Sequence, residues 1–173
     1  MVETGPPEAR TAWLALGANL GRRNEALAAL RGALRRNGVL LIVEASPILC
    51  TTAVGLVNQP DFHNQVLRVE ATTPLHPLAW LRRCREAETA AGRRPTWRWG
   101  PRRADVDILL FGDRGELSVR LPELTVPHPE ISRRPFLCAQ LAWLEPGLTH
   151  PDGWRFADRA GQFTEVAHPR PRG

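Results

Sequence analysis

The chain contains no lysine and no tyrosine, so every basic side chain other than its histidines is an arginine. Any phosphate contact by a basic side chain must therefore come from arginine or histidine. For the same reason, neither a lysine nor a tyrosine can act as an acid, a base or a stacking ring. The net charge is +5, but an arginine bias of this kind is a property of the composition, and arginine abundance alone is not evidence of function.

Two further absences bear on the class of protein. No apolar run reaches the roughly 18 residues that a membrane span requires, and residues 1–10 are polar and proline-rich, without the apolar region of a signal peptide. The three cysteines are odd in number and widely spaced, which favours reduced thiols in a cytoplasmic protein. With 173 residues, the chain is predicted to form one domain at residues 11–165, with disordered tails at 1–10 and 168–173.

The most informative stretch is a short apolar run at residues 104–111, bounded by Gly-Pro and Gly-Asp pairs, which predicts a buried strand. Because strand side chains alternate, Asp105 and Asp107 are expected on one face with Leu109 and Phe111, and Leu110 on the other. Carboxylates at this spacing lie roughly 6.7 Å apart and repel by about 2.5 kcal/mol at an effective dielectric of about 20. Protonation, arginine or a divalent cation can compensate, and hard oxygens without Cys or His ligands favour Mg²⁺ with substrate phosphates.

An arginine-rich loop at residues 92–103 precedes this strand. Its arginines are Arg93, Arg94, Arg98, Arg102 and Arg103. Cationic side chains beside a metal-binding strand form a triphosphate site in outline. Each part alone has an ordinary explanation, since an isolated Asp-x-Asp is common and an arginine-rich loop is usually solvated. Their combination, with Trp-Gly-Pro between them, is much less common.

Hydrophobic periodicity predicts strands and helices in the rest of the chain. Strands are predicted at 11–16, 39–43 and 62–69, short strand material at 117–121, and helices at 24–37, 77–91 and 130–144. Residues 146–163 are expected to form a small hairpin and a short helix. The glycine turn at 17–21 is weak evidence for a phosphate site, because an ordinary strand-to-helix turn has the same composition.

Several side chains of these elements are candidates for substrate binding. Phe62 and Asn64 begin a strand and could stack on and hydrogen-bond a flat heterocycle, although a core ring with an edge amide explains them at least as well. Glu88 lies on the apolar stripe of its helix, which predicts that it holds one of the loop arginines. His128 is on a segment stiffened by two prolines, and with Arg134 at a helix start it forms a reasonable anion site.

Together these residues resemble the 6-hydroxymethyl-7,8-dihydropterin pyrophosphokinase family of folate biosynthesis, over residues 12–151. The pieces that carry the resemblance are LGANLG at 16–21, TTAVG at 51–55, QPDFHN at 59–64, Gly92-Arg93, RWGPR at 98–102, DVDILLFG at 105–112, and PHP at 127–129 with Arg134 and Phe136. The RWGPR motif followed by Asp-x-Asp is highly specific, whereas the glycine turn is not.

The resemblance implies an α+β fold with a ferredoxin-like, mainly antiparallel sheet and helices packed on it. It implies transfer of pyrophosphate from ATP to the pterin hydroxymethyl group, with release of AMP and with two Mg²⁺ ions on Asp105 and Asp107. The implied pterin-binding residues are Thr51, Thr52, Val54, Phe62, Asn64, Trp99 and Phe136, with the two phenylalanines on either side of the ring and Trp99 on a mobile loop. The implied ATP-binding residues are Glu88, Arg93, Arg98, Arg102, Ile108, Thr125, His128 and Arg134, of which Arg93 and Arg102 act in catalysis with the two aspartates.

The motifs depart from the family pattern at a few positions. Ala18 stands where Ser is common, Phe62 replaces a frequent Tyr, and Pro129 replaces a Tyr found in some members. The strand reads ADVD where LDLD is usual, and the loop is a residue short between Gly92 and Arg98, which puts the role of Arg94 in doubt.

Two other classes of protein remain open on the residues alone. One is a metal-dependent nucleotidyltransferase, which also pairs a glycine turn with a strand Asp-x-Asp but releases pyrophosphate instead of AMP. The other is a basic RNA-binding module on a ferredoxin-like sheet, although the aromatic-rich RNP pattern of such modules is missing. The prediction favours a cytoplasmic monomer that binds ATP and the pterin and neither nucleic acid nor membrane.

Overall fold

The computed structural model describes residues 5–52, 60–93 and 104–160. Its strands are β1 (Ala9–Ala18), β2 (Leu40–Ala45), β3 (Leu49–Thr51), β4 (Phe62–Leu75), β5 (Asp105–Phe111), β6 (Val119–Leu121) and β7 (Leu124–Val126). Its helices are α1 (Arg23–Arg35), α2 (Pro77–Ala90), α3 (Pro135–Leu144) and α4 (Phe156–Ala160), with a 3₁₀ turn at Ile131–Arg133. This mixture of elements confirms the predicted α+β class.

A five-stranded antiparallel sheet forms the centre of the fold, with β2, β4, β1 and β5 side by side and β3 also paired with β4. The 14-residue β4 is long because it pairs with β2 along one half and with β3 along the other. Strands β6 and β7 form a separate hairpin. The mainly antiparallel sheet is as predicted, and it places β1 between the two strands that carry the candidate site residues.

Helices cover the sheet on both faces. On one face, buried residues of α1 and α2 such as Leu27 and Trp80 pack with Leu14 of β1. On the other face, Leu141 of α3 and Phe156 of α4 pack with Trp13 of β1. Consecutive residues of β1 thus enter two separate apolar clusters, as the alternation of a strand buried on both sides requires.

The alternation along β5 is interrupted at Leu109, which is an extra residue in the pairing with β1. A bulge of this kind shifts the following side chains to the opposite face. Phe111 therefore packs in the cluster beneath α1 and α2, whereas Leu109 and Leu110 both pack beneath α3 and α4. The predictions that Phe111 shares the face of Asp105 and Asp107, and that Leu110 lies opposite them, were wrong, because a two-residue period cannot show a bulge.

Strand β1 begins two residues inside the tail that was predicted to be disordered at 1–10. Ala9 pairs with Leu75 of β4 and is 1% exposed. Its carbonyl accepts a hydrogen bond of 2.9 Å from the indole N–H of Trp80 on α2. These contacts order the start of the strand, so the predicted boundary at residue 11 was too late.

The helix predicted at 130–144 begins only at Pro135. Proline suits the first turn of a helix, but it disfavours helical geometry in the residue before it. Arg134 accordingly has φ −118° and ψ 81°. Arg133 and Arg134 therefore precede the helix instead of lying in its first turns, a correction that matters for the site below.

Among the residues that the structure describes, no helix has both the length and the apolar character needed to cross a membrane.

Candidate active site

The two aspartates lie at one end of the sheet, on the face covered by α3 and α4. Asp105 pairs with Gly17 of β1, and Asp107 with Ala15. On its other side Gly17 pairs with Asn64 of β4, and a Cβ added at Gly17 would lie 3.5 Å from the amide oxygen of Asn64. Gly17 and Ala15 are small, so β1 places little side chain between the carboxylates of β5 and the amide of β4.

Asp105 belongs to a network at the C-terminal end of α2. The guanidinium of Arg93 donates to Asp105 Oδ1 at 2.9 Å and also forms a close ion pair with Glu88. Glu88 Oε1 accepts a hydrogen bond of 2.8 Å from the backbone N–H of Val106. Glu88 thus contacts a loop arginine, as its place on the apolar stripe predicted, and holds that arginine at the start of β5.

Burial raises the pKa of Glu88 to about 7, against an ordinary value of 4.5. The neighbouring Asp105 carboxylate raises it further, whereas the Val106 N–H and the Arg93 guanidinium oppose the shift. The side chain of Glu88 is only 8% exposed, so burial is the physical reason for the shift. A buried carboxyl beside a second carboxyl is typical of a functional site, although ion-pair networks also produce it.

Asp107 faces an arginine and a histidine from the segment before α3. Arg134 donates to Asp107 Oδ2 at 3.3 Å, and His128 Nε2 lies 3.9 Å from the same oxygen. Burial and then the charge of Asp105 raise the pKa of Asp107, while His128 and Arg134 lower it. The Asp-x-Asp pair is therefore compensated by an arginine at each carboxylate, one of the remedies expected for two like charges on a strand.

The imidazole of His128 has a defined orientation. Its Nδ1 accepts a hydrogen bond of 3.1 Å from the N–H of Glu130, and its own backbone N–H donates to Leu109 O at 2.9 Å. Because Nδ1 is an acceptor, the proton of the neutral ring is on Nε2, which faces Asp107. Burial lowers the pKa of His128, against the opposing charge of Asp107. The neutral ring still has an N–H on the side of Asp107, 3.9 Å from its Oδ2.

The residues present fit Mg²⁺. The side chains of Asp105 and Asp107 are 21% and 31% exposed, so solvent and ligand can reach them. Within the described ranges no group of three His, Cys, Asp or Glu side chains converges. A pair of carboxylates that must be completed by phosphate oxygens and water is the ligand set that Mg²⁺ prefers over an all-protein cage.

A second wall of the site lies on the other side of β1 from the aspartates, along β3 and β4. Asn64 Nδ2 donates to Thr51 Oγ1 at 2.8 Å, and Thr51 pairs with Phe62 in the β3–β4 ladder. Phe136, near the start of α3, is half-buried and packs against the cluster beneath that helix. The β3–β4 end of the sheet thus carries Thr51, Phe62 and Asn64, whereas α3 carries Phe136.

The other predicted site residues are placed as follows. Thr52 is exposed beyond the end of β3, and Thr125 is exposed on β7. Ile108 is 4% exposed and packs beneath α1 and α2, on the face opposite the aspartates, so only its backbone could border a nucleotide there. The predictions for Val54, Arg94, Arg98, Trp99, Arg102 and Arg103 concern positions outside the described residues.

One residue of this region was not foreseen. Gln140 of α3 is 2% exposed and donates hydrogen bonds to the backbone of Asn64 and Pro47. The available signal was a single amide within the apolar run FLCAQLAWL at 136–144, four residues after Phe136.

An acidic pair compensated by arginines, beside a wall with an amide and aromatic rings, fits the class of enzymes that bind a polyphosphate next to a flat ring. The model of the 7,8-dihydro-6-hydroxymethylpterin-pyrophosphokinase family matches residues 13–146. The chain belongs to this family, which confirms the resemblance found in its motifs.

Individual relatives agree with the family match. The chain is 38% identical over 141 residues to the 2-amino-4-hydroxy-6-hydroxymethyldihydropteridine pyrophosphokinase of Pseudomonas aeruginosa, covering 82% of this chain and 84% of that protein. It is 38% identical over 164 residues to the protein of the same name from Mycobacterium tuberculosis, covering 91% and 78%. The fold is similar to that of a Plasmodium falciparum HPPK-DHPS with pteroate, with a TM-score of 0.67 and 14% identity, covering 90% of this chain and 44% of that longer one.

The raised pKa of Glu88 predicts a pH-dependent effect of Glu88→Gln. The folded protein keeps a proton that the unfolded chain loses between about pH 4.5 and 7, so wild-type stability falls as pH rises through this window. Glutamine removes this titration and still offers an oxygen to the Val106 N–H. Thermal unfolding should show the Tm of the variant, relative to wild type, rising from pH 5 to pH 8. The corresponding relative gain in free energy of unfolding is on the order of 1 kcal/mol.

Glu86→Gln is the matched control, since Glu86 is exposed on the same helix. Its Tm difference from wild type should change much less over the same pH range. A Tm difference for Glu88→Gln that is constant with pH would contradict the raised pKa.

Proposed function

We propose that the protein transfers the pyrophosphoryl group of ATP to 6-hydroxymethyl-7,8-dihydropterin, releasing AMP, in folate biosynthesis. The family membership over residues 13–146 supports this reaction, as do the names of the relatives. The single observation that carries it is the meeting of Asp105, Asp107, Arg93 and Arg134 at the sheet end that also presents Asn64. Such a site can hold a triphosphate and a hydrogen-bonded ring on one face.

Phosphoryl transfer depends on positioning and charge neutralisation more than on covalent help from the protein. Asp105 and Asp107 would hold two Mg²⁺ ions, and the support is a donor set of accessible carboxylates. When bound, Mg²⁺ supplies neutralisation of the phosphate oxygens and alignment of the attacking and leaving oxygens. Arg93, Arg134 and the Nε2–H of His128 are donors within reach of the same space and would bind the phosphates.

On the opposite wall, Asn64 and Thr51 would hydrogen-bond the edge of the pterin while Phe62 and Phe136 stack on its faces. The hydroxyl oxygen of the pterin would attack the β-phosphorus and lose its proton to solvent. The bond from that phosphorus to the oxygen of the α-phosphate would break, releasing AMP. The remaining proposed contacts are Thr52, Val54 and Trp99 for the pterin, and Glu88, Arg98, Arg102, the backbone of Ile108 and Thr125 for ATP, with Arg102 also in catalysis.

We also propose that the enzyme acts as a cytoplasmic monomer, with a catalytic domain that extends to residue 165. The free thiols of all three cysteines support a reducing compartment. Helices on both faces of the sheet argue against an RNA-binding module of the kind that stacks bases on an open sheet.

The products of a reaction with labelled ATP test the reaction. ATP labelled at its β- and γ-phosphates, incubated with the protein, Mg²⁺ and the reduced pterin, should pass both labels to the pterin, with AMP formed in equal amount. The reason is that attack at the β-phosphorus moves the two terminal phosphates as one unit. Separation of nucleotides and pterins by chromatography measures the result.

Reactions without pterin or without Mg²⁺ are the controls and should form no AMP. Label in free pyrophosphate together with an adenylated acceptor would instead establish a nucleotidyltransferase. The absence of any pterin-dependent turnover would contradict the proposed function altogether.

A further inference from the structure

Gln140 is a buried amide that joins α3 to the sheet by hydrogen bonds. It is 2% exposed on a helix whose buried neighbours are Leu137, Cys138 and Leu141. Its Nε2 donates to Pro47 O at 3.0 Å and to Asn64 O at 2.9 Å. Its Oε1 is buried without a hydrogen-bond partner among the described residues. The two donated hydrogen bonds satisfy backbone carbonyls at the cost of an unsatisfied side-chain acceptor, so the amide is held by its NH2 group.

The two carbonyls that Gln140 contacts belong to the polar wall of the site. Pro47 lies in the connection from β2 to β3, and Asn64 is the third residue of β4. The side chain of Asn64 in turn donates to Thr51 at the end of β3. One amide therefore links both strands that carry the hydrogen-bonding groups proposed for the pterin.

The other end of this link is the helix that carries Phe136. Gln140 follows Phe136 by four residues on α3, and residues at this spacing lie on the same face of a helix. The stacking ring and the linking amide are thus fixed to one rigid element, one turn apart. Gln140 gives that element a direct polar connection to β4 and to the segment that leads into β3.

Gln65 provides an informative contrast on the opposite face of the sheet. Its Nε2 donates to Ser46 O at 2.7 Å, and its Oε1 accepts from Arg31 at 2.6 Å. Gln65 therefore also fixes the connection after β2 to β4, but both ends of its amide are satisfied by partners outside α3. The difference between the two glutamines is therefore the element that each one joins to β4: Gln140 joins α3, which carries Phe136, and Gln65 joins α1 through Arg31.

We propose that Gln140 is a positioning residue that sets the separation between Phe136 on α3 and the Thr51–Asn64 wall, and so the width of the pterin slot. This inference rests on the proposed function. Without the two hydrogen bonds, the contacts that remain here between the described residues of α3 and β4 are apolar, and such contacts do not fix a direction. A ring that must stack and hydrogen-bond at once then loses affinity, while the phosphate side keeps its own link from Arg134 to Asp107.

The test compares Gln140→Met with Gln65→Met, the same substitution on the two faces of the sheet. With Mg²⁺ and a non-hydrolysable ATP analogue present, fluorescence titration should show a Kd for 6-hydroxymethyl-7,8-dihydropterin raised about tenfold by Gln140→Met. The Kd of the ATP analogue alone should change less than about twofold. Gln65→Met should lower Tm, yet leave the pterin Kd within about twofold of wild type. Gln140→Asn, which can reach only one carbonyl, should give an intermediate pterin Kd and serves if Gln140→Met folds poorly.

A double-mutant cycle with Asn64→Ala distinguishes positioning from general damage to the fold. If Gln140 acts through Asn64, adding Gln140→Met to Asn64→Ala should raise the pterin Kd much less than tenfold. Unchanged pterin affinity in Gln140→Met, equal losses in the two glutamine variants, or fully multiplicative effects in the cycle would each overturn the proposal. If the wild-type protein itself does not bind the pterin, the proposed function fails instead.

Discussion

Replacing Asp105 or Asp107 with asparagine is expected to lower turnover at least about 1,000-fold while the protein stays folded. Each substitution removes one of the two carboxylates on which the charge neutralisation of the triphosphate depends. Burial and the charge of Asp105 already raise the pKa of Asp107, so a neutral side chain is tolerated there. Initial rates with ATP, Mg²⁺ and pterin measure turnover, and thermal unfolding shows whether the protein stays folded. Titration in the presence of an ATP analogue measures metal binding.

Asp113→Asn is the matched control for this prediction. Asp113 follows the same strand at the end opposite to Asp105, is exposed, and accepts a hydrogen bond from Thr11. The same change of charge should therefore leave turnover near that of wild type. Near-normal activity in either the Asp105 or the Asp107 variant would exclude this strand end as the metal site.

The start of β5 could be predicted from sequence because its signals are local. Glycine and proline define its limits, and the two-residue period places Asp105 and Asp107 on one face up to the position of the bulge. The bulge at Leu109 could not be predicted, because it exists only in the register between β5 and β1. That register depends on which strand becomes the neighbour, and a single-strand pattern contains no such information.

The arginines of the site show the same division between local and long-range signals. The contact of Glu88 with Arg93 follows from the helical stripe of α2 and the short distance along the chain to the loop. The contact of Arg134 with Asp107 spans 27 residues. It depends on Pro135, which ends the extended segment and begins α3 one residue later than Arg134. If a continuous helix began at residue 130, the helical backbone would instead set the direction of the Arg134 side chain.

Gln140 could not be identified by periodicity at all. Its carbonyl partners are 93 and 76 residues away along the chain, and the helix that carries it is apolar on most sides. A polar residue in such a run indicates a buried hydrogen-bond partner, but only the packing of α3 on β4 shows which groups accept the hydrogen bonds.

Phe136→Ala is expected to raise the Kd of the pterin about 100-fold and to leave the Kd of an ATP analogue nearly unchanged. Stacking a base on an aromatic ring contributes roughly 1–3 kcal/mol, and about 2.7 kcal/mol corresponds to a 100-fold change in Kd. The effect is specific to the pterin because Phe136 begins α3 on the ring side of the site, whereas the phosphate side is held by Arg134 and Asp107. Fluorescence titration of each ligand, with Mg²⁺ present, measures the two constants. Trp143→Ala is the control, since it removes a larger ring from the same helix at a position that is 61% exposed; equal loss of pterin affinity in both variants would mean that Phe136 is no part of the pterin slot.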